Sequence, residues 1–260
     1  MSLLSVLSFG NPDQSLTMEK VLNRPDLDFE NMKSGKARRT SSTTLNSFKR
    51  RIPHYEQEYE YTCGPACLMM IFKYFDRSFV LNKKNEIDLW RESSLAPLPP
   101  TGRYGLTFAA LKRGFGVEVL TNISGIEFVN KTPASLTGRR GGDWFKRFLV
   151  LMQAQFAERK KRALELGLKE KKVKKITMKA IEEVLERNGL SIMLTSARFF
   201  DDQDWAHWVV ITGYDGENVY VNDPISASKK GRRIFSKEAF EEVNGYYGDQ
   251  VLVSVFKHGR

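Results

Sequence analysis

Cysteines and histidines are scarce in this sequence, and their spacing excludes several kinds of protein. The two cysteines, Cys63 and Cys67, lie four positions apart on what should be one helix, so a disulfide framework is not expected. This spacing also differs from the CxxC of redox motifs, and the three histidines are too scattered to predict a zinc site. We therefore expect no metal. The sequence also has no glycine-rich phosphate loop, and we expect no organic cofactor.

Long apolar runs are also missing. No segment approaches the roughly 18 uninterrupted apolar residues of a membrane helix, and the opening residues lack both a charged leader and a small-residue cleavage site. A chain of 260 residues that is 41% hydrophobic can bury a substantial core, and we favour one domain with appendages. These features predict a soluble, cytoplasmic protein without a membrane partner, and they leave the oligomeric state open.

The net charge of +10 is concentrated in two segments. Residues 33–51 hold seven basic and no acidic residues, and residues 157–175 hold nine basic and three acidic residues. Of the 41 basic and 31 acidic residues in the chain, 25 and 28 remain once these segments are set aside. Because these two segments contain a single aromatic residue, Phe48, they are better explained as solvated surface, and nucleic acid is not an expected partner.

The composition changes near residue 50. Residues 1–50 are rich in polar and basic residues without a sustained apolar period, which predicts a mostly disordered basic tail. Residues 51–260 are predicted to form the folded domain, with a helical insertion at about 143–175. Within the domain, we predict sheet strands at residues 191–195, 207–214, 217–222 and 250–256.

Cys63 stands at the predicted start of a buried helix. It is followed by Gly64, Pro65 and an apolar run, and proline is tolerated in a first helical turn. A thiol at this position faces the positive end of the helix dipole, which favours the nucleophilic thiolate. A lone helical cysteine is more often a packing residue, so Cys63 needs partners elsewhere before it indicates catalysis. Cys67 lies a turn further inside the helix and is the weaker candidate.

Residues 206–224 predict a β-hairpin that turns at Asp215 and Gly216. A three-residue loop with Gly216 in the left-handed conformation would place His207 directly opposite Asp223, on the apolar face of both strands. A two-residue loop would instead set Trp208 opposite Asp223 and turn the carboxylate to the other face. We predict the three-residue loop.

A carboxylate that accepts the ring N–H of His207 would orient the imidazole and favour the protonated ring beside a thiolate. Cys63, His207 and Asp223 would then form the arrangement of nucleophilic acyl transfer. Each residue alone also has an ordinary explanation, His207 as an edge histidine and Asp223 as a turn carboxylate before a proline. The three are harder to explain separately, because all of them lie at the ends of predicted elements.

These motifs resemble the papain-like double-glycine leader (bacteriocin-processing) peptidases, specifically their standalone cytosolic relatives. The resemblance is carried by Gln57 six residues before Cys63, the run Cys-Gly-Pro-Ala, a histidine that opens a Val-Val-Ile strand, and Asn-Asp-Pro, and it covers about residues 52–75 and 190–256. The chain departs from the exporter-linked members at Thr62, where they have Asp, and at Ala206, where they have Gly. A Gly-Gly leader is therefore not implied as the substrate.

The resemblance implies an α+β, papain-like cysteine protease fold in which an N-terminal catalytic helix packs on an antiparallel sheet. It implies Cys63 as nucleophile, His207 as general base and acid, and Asp223 as the orienting carboxylate. It also implies that the Gln57 amide forms the oxyanion hole with the backbone N–H of Cys63, an interaction that contributes about 3 kcal/mol in such sites.

The predicted function is a cysteine peptidase that hydrolyses a peptide or protein amide bond through an acyl-enzyme on Cys63. We expect the substrate to lie between Gln57, Cys63, Trp208 and the proline-rich loop near Thr101. Tyr104 is a further predicted substrate-binding residue. One alternative transfers the acyl group to an amine, as papain-like transpeptidases do. Another is an inactive binding module that uses its basic segments, although the complete set of four residues argues against it.

Overall fold

The structure is a computed structural model that describes residues 48–95, 98–123, 142–200, 205–225 and 231–257. The predicted basic tail lies outside the described residues except for residues 48–50, which belong to the folded part. Helices in the described chain are α1 (Cys63–Phe75), α2 (Lys83–Ser93), α3 (Arg103–Leu111), α4 (Gly142–Glu165), α5 (Met178–Glu186) and α6 (Lys237–Val243).

The strands are β1 (Phe48–Lys49), β2 (Ser94–Leu95), β3 (Leu98–Thr101), β4 (Phe115–Thr121), β5 (Lys169–Lys172), β6 (Leu190–Ser196), β7 (Ala206–Tyr214), β8 (Asn218–Asn222), β9 (Arg232–Ser236) and β10 (Val251–Lys257). The predicted α+β class is confirmed. The four predicted sheet strands correspond to β6, β7, β8 and β10, and each observed boundary is within one residue of the prediction.

One large sheet has the strand order β5-β4-β10-β6-β7-β8-β9, and β1 pairs with the end of β7 beyond β6. Neighbouring strands are antiparallel except for β4 and β5, which are parallel. The sheet is therefore mixed, whereas a wholly antiparallel sheet was expected. Strand β5 was missed because its sequence, KEKK, has no apolar alternation, and backbone pairing at the sheet edge holds it in place.

Helix α1 packs on β7 and β6. All ten residues from Cys63 to Phe72 are buried, and the Phe72 ring stacks on Phe115 with ring centroids 4.8 Å apart. Each large apolar side chain buried in this way stabilises the fold by about 1.5–3 kcal/mol. The apolar run that predicted a buried helix thus fixes the position of Cys63 against the sheet.

The predicted helical insertion is only partly helical. Helix α4 ends at Glu165, and the following β5 adds a strand to the main sheet. Glu170 of β5 forms an ion pair with Lys160 of α4 and accepts the Tyr104 hydroxyl of α3. The segment is therefore bound to the rest of the domain through both its helix and its strand.

No helix in the described part of the chain is long and apolar enough to cross a membrane.

A buried ion pair connects α3 to the loop before β10. The side chains of Arg103 and Asp249 are 4% and 2% exposed. The Arg103 guanidinium also donates hydrogen bonds to Thr121 Oγ1 at 2.6 Å and to the Ile123 carbonyl at 3.2 Å. Burial raises the pKa of Asp249, although the Arg103 charge opposes that shift.

We expect Arg103→Met to lower the free energy of unfolding by about 3–5 kcal/mol, because it leaves Asp249 buried without its cation. The double variant Arg103→Met/Asp249→Leu should recover much of this loss, since it removes the buried charge as well. Chemical denaturation followed by tryptophan fluorescence measures both values. Equal destabilisation by the single and the double variant would show that the uncompensated charge is not the cause.

Candidate active site

Cys63 is the first residue of α1, directly after the N-cap residue Thr62. The Ala66 N–H donates to the Thr62 carbonyl at 2.9 Å, which closes the first turn. The N–H groups of a first turn have no acceptor within the helix, so they carry the positive end of its dipole. As the first residue of the helix, Cys63 lies at this positive end. It is 8% exposed, so its thiol has little contact with water.

His207 and Asp223 form a buried pair. His207 Nε2 lies 2.9 Å from Asp223 Oδ1, and the two side chains are 1% and 0% exposed. Because the carboxylate only accepts, Nε2 carries the hydrogen and Nδ1 is the nitrogen left for another group. Nδ1 has no hydrogen-bond partner among the described residues.

The hairpin that brings the pair together has a different register from the predicted one. Tyr214 pairs with Val219, so the loop has four residues instead of three. The Asp215 carboxylate accepts the N–H groups of Glu217 at 3.1 Å and Asn218 at 2.8 Å, which stabilises this longer turn. Gly216 has the predicted left-handed conformation, with φ of 93°. By itself this turn would place His207 and Asp223 on opposite faces of the sheet.

A bulge at Thr212 restores the shared face. Gly213 pairs with Tyr220 but Ile211 pairs with Val221, so Thr212 is an extra residue in β7. One extra residue shifts the alternation of side chains by one position. His207 and Asp223 therefore share a face as predicted, whereas the prediction that they lie directly opposite each other was wrong. Asp223 follows the last residue of β8 and reaches His207 diagonally.

Asp223 is held in place by its backbone and its side chain. Its N–H donates to the Gly231 carbonyl at 2.7 Å, and Oδ1 also accepts the Ile225 N–H at 2.9 Å. His54 Nε2 donates to the Asp223 carbonyl at 2.9 Å. Three contacts from different parts of the chain thus orient the carboxylate toward His207.

The pKa of His207 reflects both of its neighbours. Burial by itself lowers this pKa, but the hydrogen bond to Asp223 and the nearby side chain of Cys63 raise it from 6.5 to about 9. The imidazolium is therefore the favoured form of the ring at neutral pH. A protonated ring beside Cys63 is the electrostatic environment that a thiolate requires. The structure brings Cys63, His207 and Asp223 together.

Cys67 lies in a different environment from Cys63. It is fully buried, and its thiol donates to the Trp208 carbonyl at 3.2 Å. Burial, together with the nearby Cys63 and Asp223, raises the pKa of the Cys67 thiol well above its usual value. Cys67 is therefore held as a protonated packing residue.

Gln57 is fixed beside the segment that follows Asp223. Its backbone N–H donates to the Pro224 carbonyl at 2.8 Å, and its side-chain Nε2 donates to the Tyr59 carbonyl at 2.9 Å. Its Oε1 is buried and has no partner among the described residues. The loop that carries Gln57 ends at Cys63, so the two residues share one short segment.

The predicted substrate-binding residues Trp208 and Thr101 lie against the first turns of α1. Trp208 Nε1 donates to the Thr101 carbonyl at 3.2 Å, and the two residues are 5% and 7% exposed. A Cβ on Gly64 would lie 2.4 Å from Thr101 Oγ1, so glycine after Cys63 permits this close approach. Thr101 Oγ1 is buried without a partner among the described residues.

Tyr104 is placed apart from this group. It is 1% exposed, its ring packs edge-to-face on Phe156 at 4.7 Å, and its hydroxyl donates to Glu170. These contacts lie among α3, α4 and β5. We therefore do not propose Tyr104 as a substrate-binding residue.

Sequence reasoning missed two residues that contact this region. His54 was noted only as one of the scattered histidines, because its partner, the Asp223 carbonyl, is 169 positions away. Phe200 was not singled out, although its ring packs edge-to-face on the His207 ring with centroids 5.4 Å apart. The pair of aromatic residues at 199 and 200, just before the His207 strand, is the one signal that could have suggested it.

The described residues contain no cluster of three or more His, Cys, Asp or Glu side chains that could hold a metal ion. A family model described as Peptidase_C39 like family matches residues 52–241, which include Gln57, Cys63, His207 and Asp223. The chain belongs to this C39-like peptidase family.

No curated protein matches this C39-like chain. Among solved structures, the chain is similar to a Bacillus anthracis protein described as a C39-like peptidase, with 14% identity, a TM-score of 0.45 and coverage of 83% of this chain and 100% of that chain. It is also similar to a double glycine motif protease from an AMS/PCAT transporter, solved in complex with the leader peptide. That match has 14% identity, a TM-score of 0.40 and coverage of 82% of this chain and 97% of that chain.

The pKa of His207 in the C39-like domain can be measured by NMR titration of its ring C–H signal. We expect a midpoint near 9 in the unmodified protein. Asp223→Asn removes the negative charge that favours the imidazolium, so the midpoint should fall by roughly one to three units. A midpoint near 6.5 in the unmodified protein would contradict the raised pKa.

Deletion of Thr212 tests the bulge. Without this residue the alternation of β7 shifts by one position, so His207 and Asp223 should move to opposite faces and the raised His207 midpoint should be lost. Thr212→Val keeps the chain length and serves as the matched control, with a midpoint like that of the unmodified protein. A normal midpoint in a folded deletion variant would show that the bulge is not needed for the pairing.

Proposed function

We propose that this C39-like protein is a cysteine peptidase in which Cys63 is the nucleophile, His207 the general base and acid, and Asp223 the orienting carboxylate. The observation that carries the proposal is the buried 2.9 Å contact between His207 and Asp223, formed beside a thiol at the start of a helix. The raised pKa of His207 supports it, because an imidazolium stabilises the thiolate that attacks. Family membership supports the reaction class.

In the proposed acylation step, the Cys63 thiolate attacks the carbonyl carbon of a peptide bond and a C–S bond forms. The carbonyl oxygen becomes an oxyanion, which the backbone N–H of Cys63 and the side-chain amide of Gln57 stabilise. His207 then gives its proton to the leaving amine as the C–N bond breaks. The products of this step are a free amine and a thioester on Cys63.

In the proposed deacylation step, neutral His207 removes a proton from water, which attacks the thioester carbonyl. Collapse of the tetrahedral intermediate breaks the C–S bond and releases a carboxylic acid. The thiolate and imidazolium are regenerated, so no further reactant is consumed. Asp223 keeps Nε2–H oriented, which leaves Nδ1 directed to the reacting atoms.

The proposal predicts that the two thiols differ in reactivity. Iodoacetamide at neutral pH should label Cys63 much faster than Cys67, and His207→Ala should remove most of the difference because the thiolate loses its imidazolium. Mass spectrometry of the digested, labelled protein gives the rate for each cysteine. Equal rates, or a Cys63 rate that does not depend on His207, would overturn the assignment of the nucleophile.

Peptide cleavage should depend on the same residues. We expect Cys63→Ser to lower the turnover of a mixed peptide library by at least about a thousandfold, and Gln57→Ala by about a hundredfold to a thousandfold. Cys67→Ser is the matched control, because a serine hydroxyl can still donate to the Trp208 carbonyl. Mass spectrometry identifies the cleaved bonds. Cleavage that persists in Cys63→Ser would refute the proposed mechanism.

A further inference from the structure

Glu86 is a fully buried acidic residue that the proposed mechanism does not use. It belongs to α2, lies on the same buried side of that helix as Leu89, and is 0% exposed. Its carboxyl group contacts three groups of residues 55–62, which we name the approach loop because it leads to Cys63. Burial of a carboxyl group is unfavourable unless hydrogen bonds compensate for lost water, so these contacts must be strong enough to hold it.

The contacts of Glu86 span the whole approach loop. Oε2 accepts the Tyr55 hydroxyl at 2.8 Å, and Oε1 accepts the Glu58 N–H at 3.0 Å. Oε1 also contacts the Thr62 hydroxyl, immediately before Cys63. Burial and the hydrogen bond to Glu86 raise the pKa of Tyr55, so its hydroxyl stays protonated at neutral pH and can donate this hydrogen bond. One carboxyl group thus fixes both ends of the loop and a point between them.

The approach loop connects Glu86 to the Gln57 amide. The Tyr59 carbonyl accepts the Gln57 side-chain amide at 2.9 Å and the Thr62 hydroxyl at 2.6 Å. Thr62 in turn contacts Glu86. A chain of hydrogen-bonding groups therefore runs from the Glu86 carboxyl group, through Thr62 and the Tyr59 carbonyl, to the Gln57 side chain.

The loop also contains a strained residue. Tyr61 has φ of 65°, a left-handed conformation that is unfavourable for a bulky non-glycine residue. Such conformations cost about 1–3 kcal/mol and persist only where surrounding contacts impose them. A second link between α2 and the loop, the Lys83–Glu58 ion pair, has side chains that are 64% and 39% exposed. Exposed pairs of this kind contribute little, so Glu86 is the principal contact.

We propose that Glu86 is a positioning residue for the oxyanion hole: it sets the Gln57 amide at the correct distance from the backbone N–H of Cys63. This inference rests on the proposed function. Glu86 itself does not touch the substrate. It acts from a helix that is independently fixed, since Asn82 caps α2 by accepting the Asn85 N–H at 2.8 Å and α2 packs on both α1 and α3.

Two reagents separate this role from a general effect on the site. Iodoacetamide alkylates the thiolate by displacing iodide from a tetrahedral carbon, so no oxyanion forms. With p-nitrophenyl acetate, the thiolate attacks a carbonyl, an oxyanion forms, the acetyl group is transferred to Sγ and p-nitrophenolate leaves. Only the second reaction uses the oxyanion hole. The ratio of the acylation rate to the alkylation rate of Cys63 therefore reports the oxyanion hole alone, and neither reagent requires knowledge of the natural substrate.

We expect Glu86→Met in the full chain to lower this ratio by about 10- to 100-fold, because a displaced donor loses much of its effect on the oxyanion. Its alkylation rate should remain within about twofold of the unmodified protein, because the hydrogen bonds of Glu86 go to Tyr55, Glu58 and Thr62 and not to Cys63 or His207. Glu86→Gln should keep most of the ratio, since its amide can accept from Tyr55 and Glu58 and donate to Thr62. Asp88→Asn, an exposed carboxylate on the same helix, is the matched control and should have no effect.

The double variant Gln57→Ala/Glu86→Met provides the decisive comparison. If Glu86 acts through Gln57, the double variant should acylate no more slowly than Gln57→Ala alone. Additive losses, or equal losses in both reactions, would overturn the positioning role in favour of a general structural one. If the unmodified protein reacts with neither reagent faster than Cys63→Ser does, the proposed function itself fails, and this outcome is distinct from failure of the Glu86 inference.

Discussion

The hydrogen bond between His207 and Asp223 is the constraint on which the candidate site depends. Both side chains are almost completely excluded from water, so each needs the other. The pair forms because the Thr212 bulge shifts the side-chain alternation of β7 by one residue. Without that shift, the four-residue turn at Asp215 would place the two side chains on opposite faces of the sheet. A charged carboxylate then holds a protonated ring beside Cys63, and the helix that presents Cys63 is fixed by ten consecutive buried residues. The electrostatics of the site are thus a consequence of strand register and helix burial.

The segment between β1 and the approach loop runs alongside the hairpin formed by β7 and β8. The Arg50 N–H donates to the Thr212 carbonyl at 2.8 Å, which places this segment at the bulge itself. Further along, His54 and Gln57 donate to the carbonyls of Asp223 and Pro224. Glycine at position 213 permits this course, because a Cβ there would lie 2.3 Å from the Phe48 carbonyl oxygen. The chain before the proposed nucleophile is therefore built onto the strands that carry its partners.

Local patterns predicted much of this arrangement. The apolar run after Cys63 and the alternation in β6, β7, β8 and β10 are properties of short segments, and the structure follows them closely. The face shared by His207 and Asp223 was also predicted, but through a register that was wrong. The longer turn and the bulge each shift the alternation by one residue, and the two shifts cancel, so His207 and Asp223 lie on the same face. Apolar alternation does not reveal such irregularities. The Asp215 carboxylate stabilises the longer turn through its hydrogen bonds, and the bulge lies next to the residues of β7 that pair with β1.

Contacts between distant parts of the chain could not be predicted. Strand β5 has a wholly polar sequence, and its place in the sheet depends on backbone pairing with β4. Glutamate in a helix usually lies on the surface, so nothing in the local sequence marks Glu86 as buried. Its burial follows from tertiary contacts with the approach loop. Tyr104 was expected to bind the substrate, yet α4 and β5 cover it. In each case the deciding partner lies outside the local sequence window.

The hydrogen bond from the Gln57 backbone to Pro224 has a mechanical consequence. Pro224 directly follows Asp223, so a displacement of this short stretch would shift the Asp223 carboxylate and the Gln57 backbone in the same movement. A movement of this backbone would therefore change the positions of Asp223 and Gln57 together, whereas a change confined to the Gln57 side chain, which is held by the Tyr59 carbonyl, would leave Asp223 in place.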